Sequence, residues 1–228
     1  MAERESSISV AAPFPPSAES MTPNEIDILA CETPYKGYLR IERFRLRHTL
    51  FDGKMGPEIS REVLQRGHAV GVVLYDPDRN AVVLIEQFRV GALAAGWEPW
   101  ITEIVAGIID VDEMPADVAR RETLEEAGCE ILDLVPVYSY LVSPGCSSET
   151  VRLFCGRIDA SNIGGIFGLQ DEGEDIRVSA VPLDEALRRL QSGNIVSSVA
   201  IIGLQWLALN QAALRARWST LPRSAKDT

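Results

Sequence analysis

The chain has 228 residues, of which 46% are hydrophobic, and it carries a formal net charge of −11. These values are typical of one globular domain with some additional residues and a core large enough for independent stability. The acidic balance argues against a general surface for nucleic acids or anionic membranes. The four cysteines form no CxxC pair, and the two histidines are too few and too isolated for a zinc site or a histidine-based triad. We therefore expect reduced thiols and a cytoplasmic location.

Both ends of the chain have the composition of flexible segments. Residues 1–24 are rich in Ser, Pro and Ala, contain no apolar run long enough for a secretory signal, and are predicted to be a disordered arm. Residues 219–228 are predicted to be a flexible tail. No stretch between them has the ~20 apolar residues that a membrane span needs.

The first predicted elements form a β-hairpin. Partial alternation of apolar and polar residues predicts a strand over 36–50, with an irregularity near Arg43 where the alternation slips. Asp52 and Gly53 mark a turn, and residues 58–65 predict a second strand. We expect residues 25–66 to form a β-rich dimerisation subdomain ahead of a main domain at 67–218.

The main domain mixes strands with a few helices, which favours an α/β sandwich over a repeated βαβ array. The nearly continuous apolar run 70–75 predicts a buried central strand. The other predicted strands are 81–87, 101–105, 131–141, 150–157 and 176–181. Loops are expected at 76–80, 91–100, 143–149 and 161–175, the last being Gly-rich and acidic. Helices are predicted from 182 to about 191 and from about 197 to 217.

The stretch 107–129 predicts a loop, a helix and a sharp stop. Pro115 suits the first helical turn, and Gly128 suits the left-handed residue that ends a helix. Glu122, Glu125 and Glu126 stand at i, i+3 and i+4, so three carboxylates share one face. Such clusters usually form a solvated face, but a hard divalent cation would turn their repulsion into attraction.

The spacing within this stretch favours the cation. The pattern G-x5-E-x7-R-E-x-x-E-E-x-G closely resembles the box of the Nudix hydrolases. The resemblance implies an α/β/α sandwich with a mixed β-sheet, here preceded by the β-hairpin subdomain. One departure is Thr123, which stands where the family prefers an aliphatic residue. Every fixed position of the pattern is met, by Gly107, Glu113, Arg121, Glu122, Glu125, Glu126 and Gly128.

Further segments resemble the ADP-ribose pyrophosphatase branch of that family, so that the resemblance covers roughly residues 30–218. Pro144 sits where this branch has a proline, whereas Cys146 replaces its usual second glycine. The resemblance implies Mg²⁺-dependent hydrolysis of ADP-ribose to AMP and ribose 5-phosphate. A pyrophosphatase for GDP-mannose or ADP-glucose is the first alternative, and a non-catalytic ADP-ribose sensor is the second. The matching segments are IEQFR (85–89), EIVAGIID (103–110), SPGCSSE (143–149), GLQDEGEDI (168–176) and SSVAIIGLQWLALN (197–210).

The resemblance also implies catalytic roles. Two or three Mg²⁺ ions, with Mn²⁺ as the alternative, would activate water and neutralise charge. The implied metal ligands are Glu122, Glu126, Glu174 and the carbonyl of Ala106. Glu125 would lie in the second shell or hold a third metal, and Arg121 would orient the carboxylates. Glu172, on the loop 168–176, would be the general base, although a plain solvated acidic loop is the alternative reading of that segment.

The substrate-binding residues come from the same resemblance. The N-terminal hairpin would cross to the partner subunit of a homodimer with shared active sites, where Tyr38 would stack on adenine and Glu62 would lie beside Arg61. Arg89 would point to the pyrophosphate or adenine, and Glu149 would accept hydrogen bonds from sugar hydroxyls. Ordinary strand surface is the alternative for the hairpin residues. The full predicted set is Tyr38, Leu39, Arg61, Glu62, Arg66, Arg89, Ile108, Ser143, Pro144, Gly145 and Glu149.

Overall fold

The computed structural model describes residues 25–169, 171 and 173–219. The predicted arm at 1–24, the tail beyond Ser219 and the predicted base Glu172 lie outside the described residues. The chain divides into two compact units. The first comprises the described residues up to His68 together with Ser139–Thr150, and the second comprises Ala69–Tyr138 and the described residues from Val151 onward.

The first unit contains an antiparallel three-stranded sheet in the order β1-β2-β3. Its strands are β1 (Ile26–Lys36), β2 (Arg40–His48) and β3 (Ile59–Gln65). The predicted hairpin corresponds to β2 and β3, but the first predicted strand begins too early, because the turn at 37–39 separates β1 from β2.

Strand β1 is missing from the sequence prediction. Pro34 cannot donate to a ladder, so its segment does not read as a regular strand. The structure accommodates this proline in an irregularity between Glu32 and Tyr35 of β1, where two residues oppose a single residue of β2. The irregularity expected near Arg43 therefore exists beside it, since Arg43 pairs with Glu32, but the additional residue belongs to β1.

The second unit is built on an eight-stranded mixed sheet. Its order is β10-β11-β5-β4-β9-β8, with β6 paired to β5 and β7 paired to β4. Strands β4 and β9 are parallel, whereas β5 is antiparallel to β4, β6 and β11. The strands are β4 (His68–Asp76), β5 (Ala81–Phe88), β6 (Trp100–Glu103), β7 (Val105–Ile109), β8 (Asp133–Leu141), β9 (Thr150–Arg157), β10 (Gly164–Phe167) and β11 (Ile176–Pro182).

Four helices accompany this sheet among the described residues: α1 (Val90–Ala94), α2 (Pro115–Ala127), α3 (Leu183–Gln191) and α4 (Ser198–Trp218). No helix in the described part of the chain is both long enough and apolar enough to cross a membrane. Two predicted loops were wrong in part, because α1 (Val90–Ala94) overlaps 91–100 and β10 lies within 161–175. A five-residue helix is too short to show a period, and the glycines of β10 hide a strand that exists because it pairs with β11.

Helices cover both faces of the sheet, which confirms the predicted sandwich. On one face, Val72 and Leu74 of β4 belong to a buried cluster with Ala119 of α2. Alternation turns Gly71 and Val73 to the other face, towards α4. There a Cβ on Gly71 would stand 2.5 Å from Val199, and a Cβ on Gly203 would overlap Val73. Strand β4 therefore packs against α2 on one face of the sheet and against α4 on the other.

Candidate active site

Helix α2 presents the box residues, and its ends match the sequence prediction. Pro115 is in the first turn, and Gly128 ends the helix with φ 62° and donates its N–H to the Leu124 carbonyl at 3.0 Å. Thr123 is fully buried and donates its hydroxyl to the Ala119 carbonyl at 2.7 Å. The departure from the family pattern is therefore absorbed by a local hydrogen bond and leaves the carboxylate face unchanged.

Glu126 is the most deeply buried carboxylate of the box, with 4% of its surface exposed. One of its oxygens accepts a hydrogen bond from the backbone N–H of Ala106 at 3.1 Å. Burial, reinforced by the nearby charges of Glu122 and Glu174, raises the pKa of Glu126 to about 8, although the Ala106 hydrogen bond acts in the opposite direction. The structure thus joins the strand β7 to α2 through this carboxylate.

Glu122 lies against Gly107. A Cβ added to Gly107 would overlap the carboxyl group of Glu122, so only glycine permits this close approach of β7 and α2. Burial raises the pKa of Glu122 to about 7, and the charge of Glu125 acts in the same direction, whereas Arg121 opposes it. The site therefore contains two neighbouring carboxylates that are costly to ionise.

Arg121 donates hydrogen bonds to three carboxylates of the box. Its guanidinium donates to Glu122 at 2.9 Å, to Glu125 at 3.0 Å and to Glu113 at 3.2 Å. Burial lowers the pKa of Arg121, but its acidic partners raise it further, so that the pKa lies above its ordinary value. This contact pattern agrees with a role in orienting the carboxylates. Glu113 was part of the box pattern and joins the site through this arginine.

The donor set of this cleft suits a hard divalent cation. Oxygen ligands and partly buried negative charge are what Mg²⁺ requires, and it is usually held by one or two carboxylates together with substrate phosphates and water. The Gly107 contact supplies the space into which Glu122 projects. Within the described ranges, no group of three His, Cys, Asp or Glu side chains forms a complete site by itself. Backbone and substrate oxygens would complete the coordination.

The loop after β10 brings a further carboxylate close to the box. Glu174 accepts from the Leu169 N–H at 3.0 Å and donates its own N–H to the Leu169 carbonyl at 3.2 Å, which closes a short ring. Its charge contributes to the raised pKa of Glu122 and Glu126. The loop is anchored by Phe167, whose ring occupies the space that a side chain on Gly128 would need.

Arg89 follows β5 and also faces the box. Its Nε donates to Glu103 at 2.7 Å, and its charge lowers the pKa of Glu126. Ile108 lies on β7 with 37% of its surface exposed. Neither Glu103 nor Phe167 was predicted to be a site residue, although Glu103 begins the matching segment 103–110. No periodicity singles them out, because their roles depend on the β5–β6 register and on the docking of β10, which are tertiary properties.

In the first unit, the predicted substrate residues divide into two groups, and Glu149 belongs to the more buried one. Arg66 forms an ion pair with Glu149, whose side chain is 12% exposed. Val142 donates its backbone N–H to the Glu149 carbonyl, and the turn between them contains the predicted residues Ser143, Pro144 and Gly145, with Ser143 accepting from the Cys146 N–H at 3.1 Å.

The hairpin residues are more exposed. Tyr38 is 90% exposed, and the Leu39 carbonyl accepts from Gly37 in the β1–β2 turn. The expectation that Glu62 lies beside Arg61 was wrong. Glu62 pairs with Arg43 at 2.8 Å, whereas Arg61 donates to the Ser60 carbonyl, because adjacent residues of a strand project to opposite faces.

Comparisons with known proteins agree with this geometry. A family model described as NUDIX domain matches residues 65–200. The chain is 44% identical over 196 residues to the ADP-ribose pyrophosphatase of Escherichia coli K12, which covers 86% of this chain and 94% of that protein. It is 40% identical over 197 residues to the ADP-ribose pyrophosphatase of Haemophilus influenzae, with 85% and 91% covered.

More distant similarities extend the comparison. The chain is 35% identical over 172 residues to the GDP-mannose pyrophosphatase of Citrobacter koseri, covering 72% of this chain and 87% of that protein. A crystal structure described as an ADP compounds hydrolase superposes with a TM-score of 0.64 at 20% identity, covering 87% of this chain and 100% of that one. The structural likeness supports the sandwich fold.

Proposed function

Because the chain belongs to the NUDIX family, we propose that it hydrolyses the pyrophosphate bond of ADP-ribose to give AMP and ribose 5-phosphate. The observation that carries this proposal is the pair of the partly buried Glu122 and the buried Glu126, held against Ala106 and Gly107 of β7. Two such carboxylates with raised pKa values need a compensating cation, and a pyrophosphate substrate needs the same cation. The names of the most similar relatives supply the substrate.

The box residues would hold two or three Mg²⁺ ions, with Mn²⁺ as the alternative. The proposed ligands are Glu122, Glu126, Glu174 and the carbonyl of Ala106. When bound, the metal supplies positive charge that polarises the phosphoryl oxygens and lowers the pKa of water. Arg121 would hold the carboxylates in place through its contacts with Glu113, Glu122 and Glu125.

The remaining catalytic tasks fall to a base and to a phosphate-binding cation. We assign the base to Glu172, which takes the proton of the attacking water; this assignment rests on the family resemblance and on the closed ring between Leu169 and Glu174 that frames its loop. Arg89 would bind a phosphate oxygen through its guanidinium, which Glu103 holds by Nε alone among the described contacts. Both groups stabilise charge that develops in the transition state.

The substrate ends would be bound by two sets of residues. Adenine and its phosphate would be bound by Tyr38, Leu39, Arg61, Glu62 and Arg66 of the hairpin subdomain at 25–66, with Ile108 and Arg89 from the hydrolase domain at 67–218. The terminal ribose would be bound by Ser143, Pro144, Gly145 and Glu149. The ion pair between Arg66 and Glu149 supports this second assignment, because it fixes a carboxylate that can accept hydrogen bonds from sugar hydroxyls.

We further propose a twofold homodimer with shared active sites. The motive is β1, an edge strand that exposes the apolar side chains of Ile26, Ile28 and Tyr35. An obligate interface of this type buries upwards of ~2,000 Å². Light scattering that gives a mass of 25 kDa at micromolar concentration would remove the shared-site proposal. The free thiols of Cys31, Cys129, Cys146 and Cys155 support a reducing, cytoplasmic location.

A substrate panel tests the proposed activity. The purified protein with Mg²⁺ would be assayed on ADP-ribose, ADP-glucose, GDP-mannose, NADH, diadenosine polyphosphates and nucleoside triphosphates, with AMP and sugar phosphate release as the readout. We expect the highest kcat/KM for ADP-ribose and a lower, detectable value for ADP-glucose. Glu126→Gln is the matched inactive control, since it preserves shape and removes one charge.

The alternatives predict different outcomes of the same panel. The relationship to a GDP-mannose pyrophosphatase makes that activity the second candidate, at lower identity and coverage than the ADP-ribose relatives. A higher kcat/KM for GDP-mannose would reject the substrate assignment and leave the hydrolase assignment standing. Tight binding of ADP-ribose without product release would instead identify a sensor, an outcome that the intact set of box carboxylates argues against.

A further inference from the structure

Among the described residues, three buried side-chain atoms lack a hydrogen-bond partner: Arg47 Nε, Gln87 Nε2 and Tyr140 Oη. Buried polar atoms nearly always have a hydrogen-bond partner, and a buried atom without one destabilises the folded state. Tyr140 is the informative case, because its neighbour Glu149 belongs to the proposed sugar-binding turn.

Tyr140 and Glu149 flank the turn between β8 and β9. Val142 donates its N–H to the Glu149 carbonyl at 3.2 Å, so these two residues stand opposite each other. Tyr140 lies two residues before Val142, and alternation along the chain directs its side chain to the same face. Burial raises the pKa of the Tyr140 hydroxyl to about 12, and the negative charge of Glu149 acts in the same direction. The phenol is therefore neutral at physiological pH and retains its proton for donation.

The Glu149 carboxylate is fixed in position. Arg66 binds Oε1 of Glu149, and the Glu149 side chain is only 12% exposed. The second oxygen, Oε2, can still accept a proton donor. Tyr140 Oη can both donate and accept. A carboxylate and a phenol at the same turn can bind two hydroxyl groups of one sugar, of which one donates to the carboxylate and the other pairs with the phenol.

We propose that Tyr140 is a specificity-determining residue that binds a hydroxyl group of the terminal sugar of the substrate, with Glu149 binding the neighbouring hydroxyl. This inference rests on the proposed function, because it assumes that the terminal sugar lies at the turn 143–149. It adds a residue that the Nudix box and the loop resemblance do not contain. It also explains why a buried hydroxyl is kept without a protein partner, since its partner arrives with the substrate.

The test is Tyr140→Phe, which removes one oxygen and keeps the ring. Steady-state kinetics would be compared on ADP-ribose and on the β-methyl ester of ADP, which has the adenosine and the pyrophosphate but no terminal sugar. We expect kcat/KM for ADP-ribose to fall about tenfold, as for the loss of one net hydrogen bond, mainly through KM. The value for the methyl ester should stay unchanged. The Tm of the ligand-free variant should rise by roughly 2–4 °C, because an unpaired buried hydroxyl is removed.

Tyr138→Phe is the matched control, since Tyr138 lies on the same strand and is 50% exposed. It should change neither the discrimination between the two substrates nor the Tm. Equal losses on both substrates for Tyr140→Phe, or no loss on either, would overturn the inference. A lower Tm would also overturn it, because it would show that the hydroxyl has a partner within the protein.

A second measurement separates this inference from the proposed function. Ribose 5-phosphate should raise the Tm of the wild-type protein and raise that of Tyr140→Phe less, without any turnover. If the wild-type protein releases no AMP from ADP-ribose, the proposed function fails, and the response to ribose 5-phosphate still decides whether Tyr140 binds a sugar. If AMP is released but both proteins respond equally to ribose 5-phosphate, the inference alone fails.

Discussion

The buried carboxylate of Glu126 makes a prediction about stability that can be measured without substrate. Its pKa is raised from 4.5 to about 8, chiefly by burial. A raised pKa in the folded state means that folding favours the protonated carboxyl. The corresponding stability is fully present below the unfolded-state pKa and is lost as the pH rises through about 8. The metal-free protein should therefore become less stable between pH 4.5 and pH 9.

The size of the effect follows from the shift. At about 1.4 kcal/mol per pKa unit, the shift of Glu126 corresponds to about 5 kcal/mol once the carboxyl is fully ionised. Glu122, whose pKa is raised to about 7, acts in the same direction, and its charge contributes to the shift of Glu126. We therefore expect ionisation of Glu126 to lower the free energy of unfolding of the metal-free protein by on the order of 5 kcal/mol.

The assay is urea unfolding of wild-type protein and Glu126→Gln at pH 5 and pH 9, with a chelator present. Glutamine can still accept the Ala106 N–H, so the variant keeps the contact and loses the charge. We expect the variant to gain stability relative to the wild type as the pH rises. Adding Mg²⁺ should stabilise the wild type far more than the variant. Turnover of the variant should fall by about 10²–10³ or more.

Glu130→Gln is the control for this experiment, because Glu130 is exposed just beyond α2. The difference in free energy of unfolding between Glu130→Gln and the wild type should be the same at pH 5 and pH 9. The reasoning would be refuted if Glu126→Gln and Glu130→Gln showed the same pH dependence. Near-normal Mg²⁺-dependent turnover of Glu126→Gln would refute the assignment of the box helix as the metal site.

Three further substitutions test the site and the fold. Glu172→Gln should lower kcat by about 10² or more with KM broadly intact, as initial rates over a range of ADP-ribose concentrations would show; an unchanged kcat would place the base elsewhere. Gly107→Ala should weaken Mg²⁺ binding, measured by calorimetry, because the new Cβ overlaps Glu122. Gly203→Ala should lower the free energy of unfolding by about 1–3 kcal/mol through overpacking. Gly91→Ala, with open space around its Cβ, is the control for both glycine variants, and equal effects would contradict them.

The sequence predicted the elements whose signals are local. The ends of α2 follow from Pro115 and Gly128, and the burial of β4 follows from its apolar run. The box spacing alone places Glu122 and Glu126 on one helical face. These features depend on residues a few positions apart, where chain geometry alone fixes the outcome.

The elements that escaped prediction depend on contacts between distant residues. Strand β10 contains two glycines with positive φ and forms because β11 offers it a ladder. The pairing of Glu62 with Arg43 depends on the register between β2 and β3, which the sequence does not show. The support of Arg89 by Glu103 likewise depends on the register of β5 and β6.

The close packing on both faces of β4 limits the substitutions that this enzyme can tolerate. Gly71 and Val73 leave no free space towards Val199 and Gly203, while Val72 and Leu74 lie in the cluster beneath Ala119 of the box helix. A larger side chain on the α4 side would displace β4 itself, because close-packed interiors transmit displacement. Substitutions on a helix that contributes no ligand should therefore alter metal affinity. Selection acting on catalysis would then constrain the back of the sheet as strictly as the glutamates on its front.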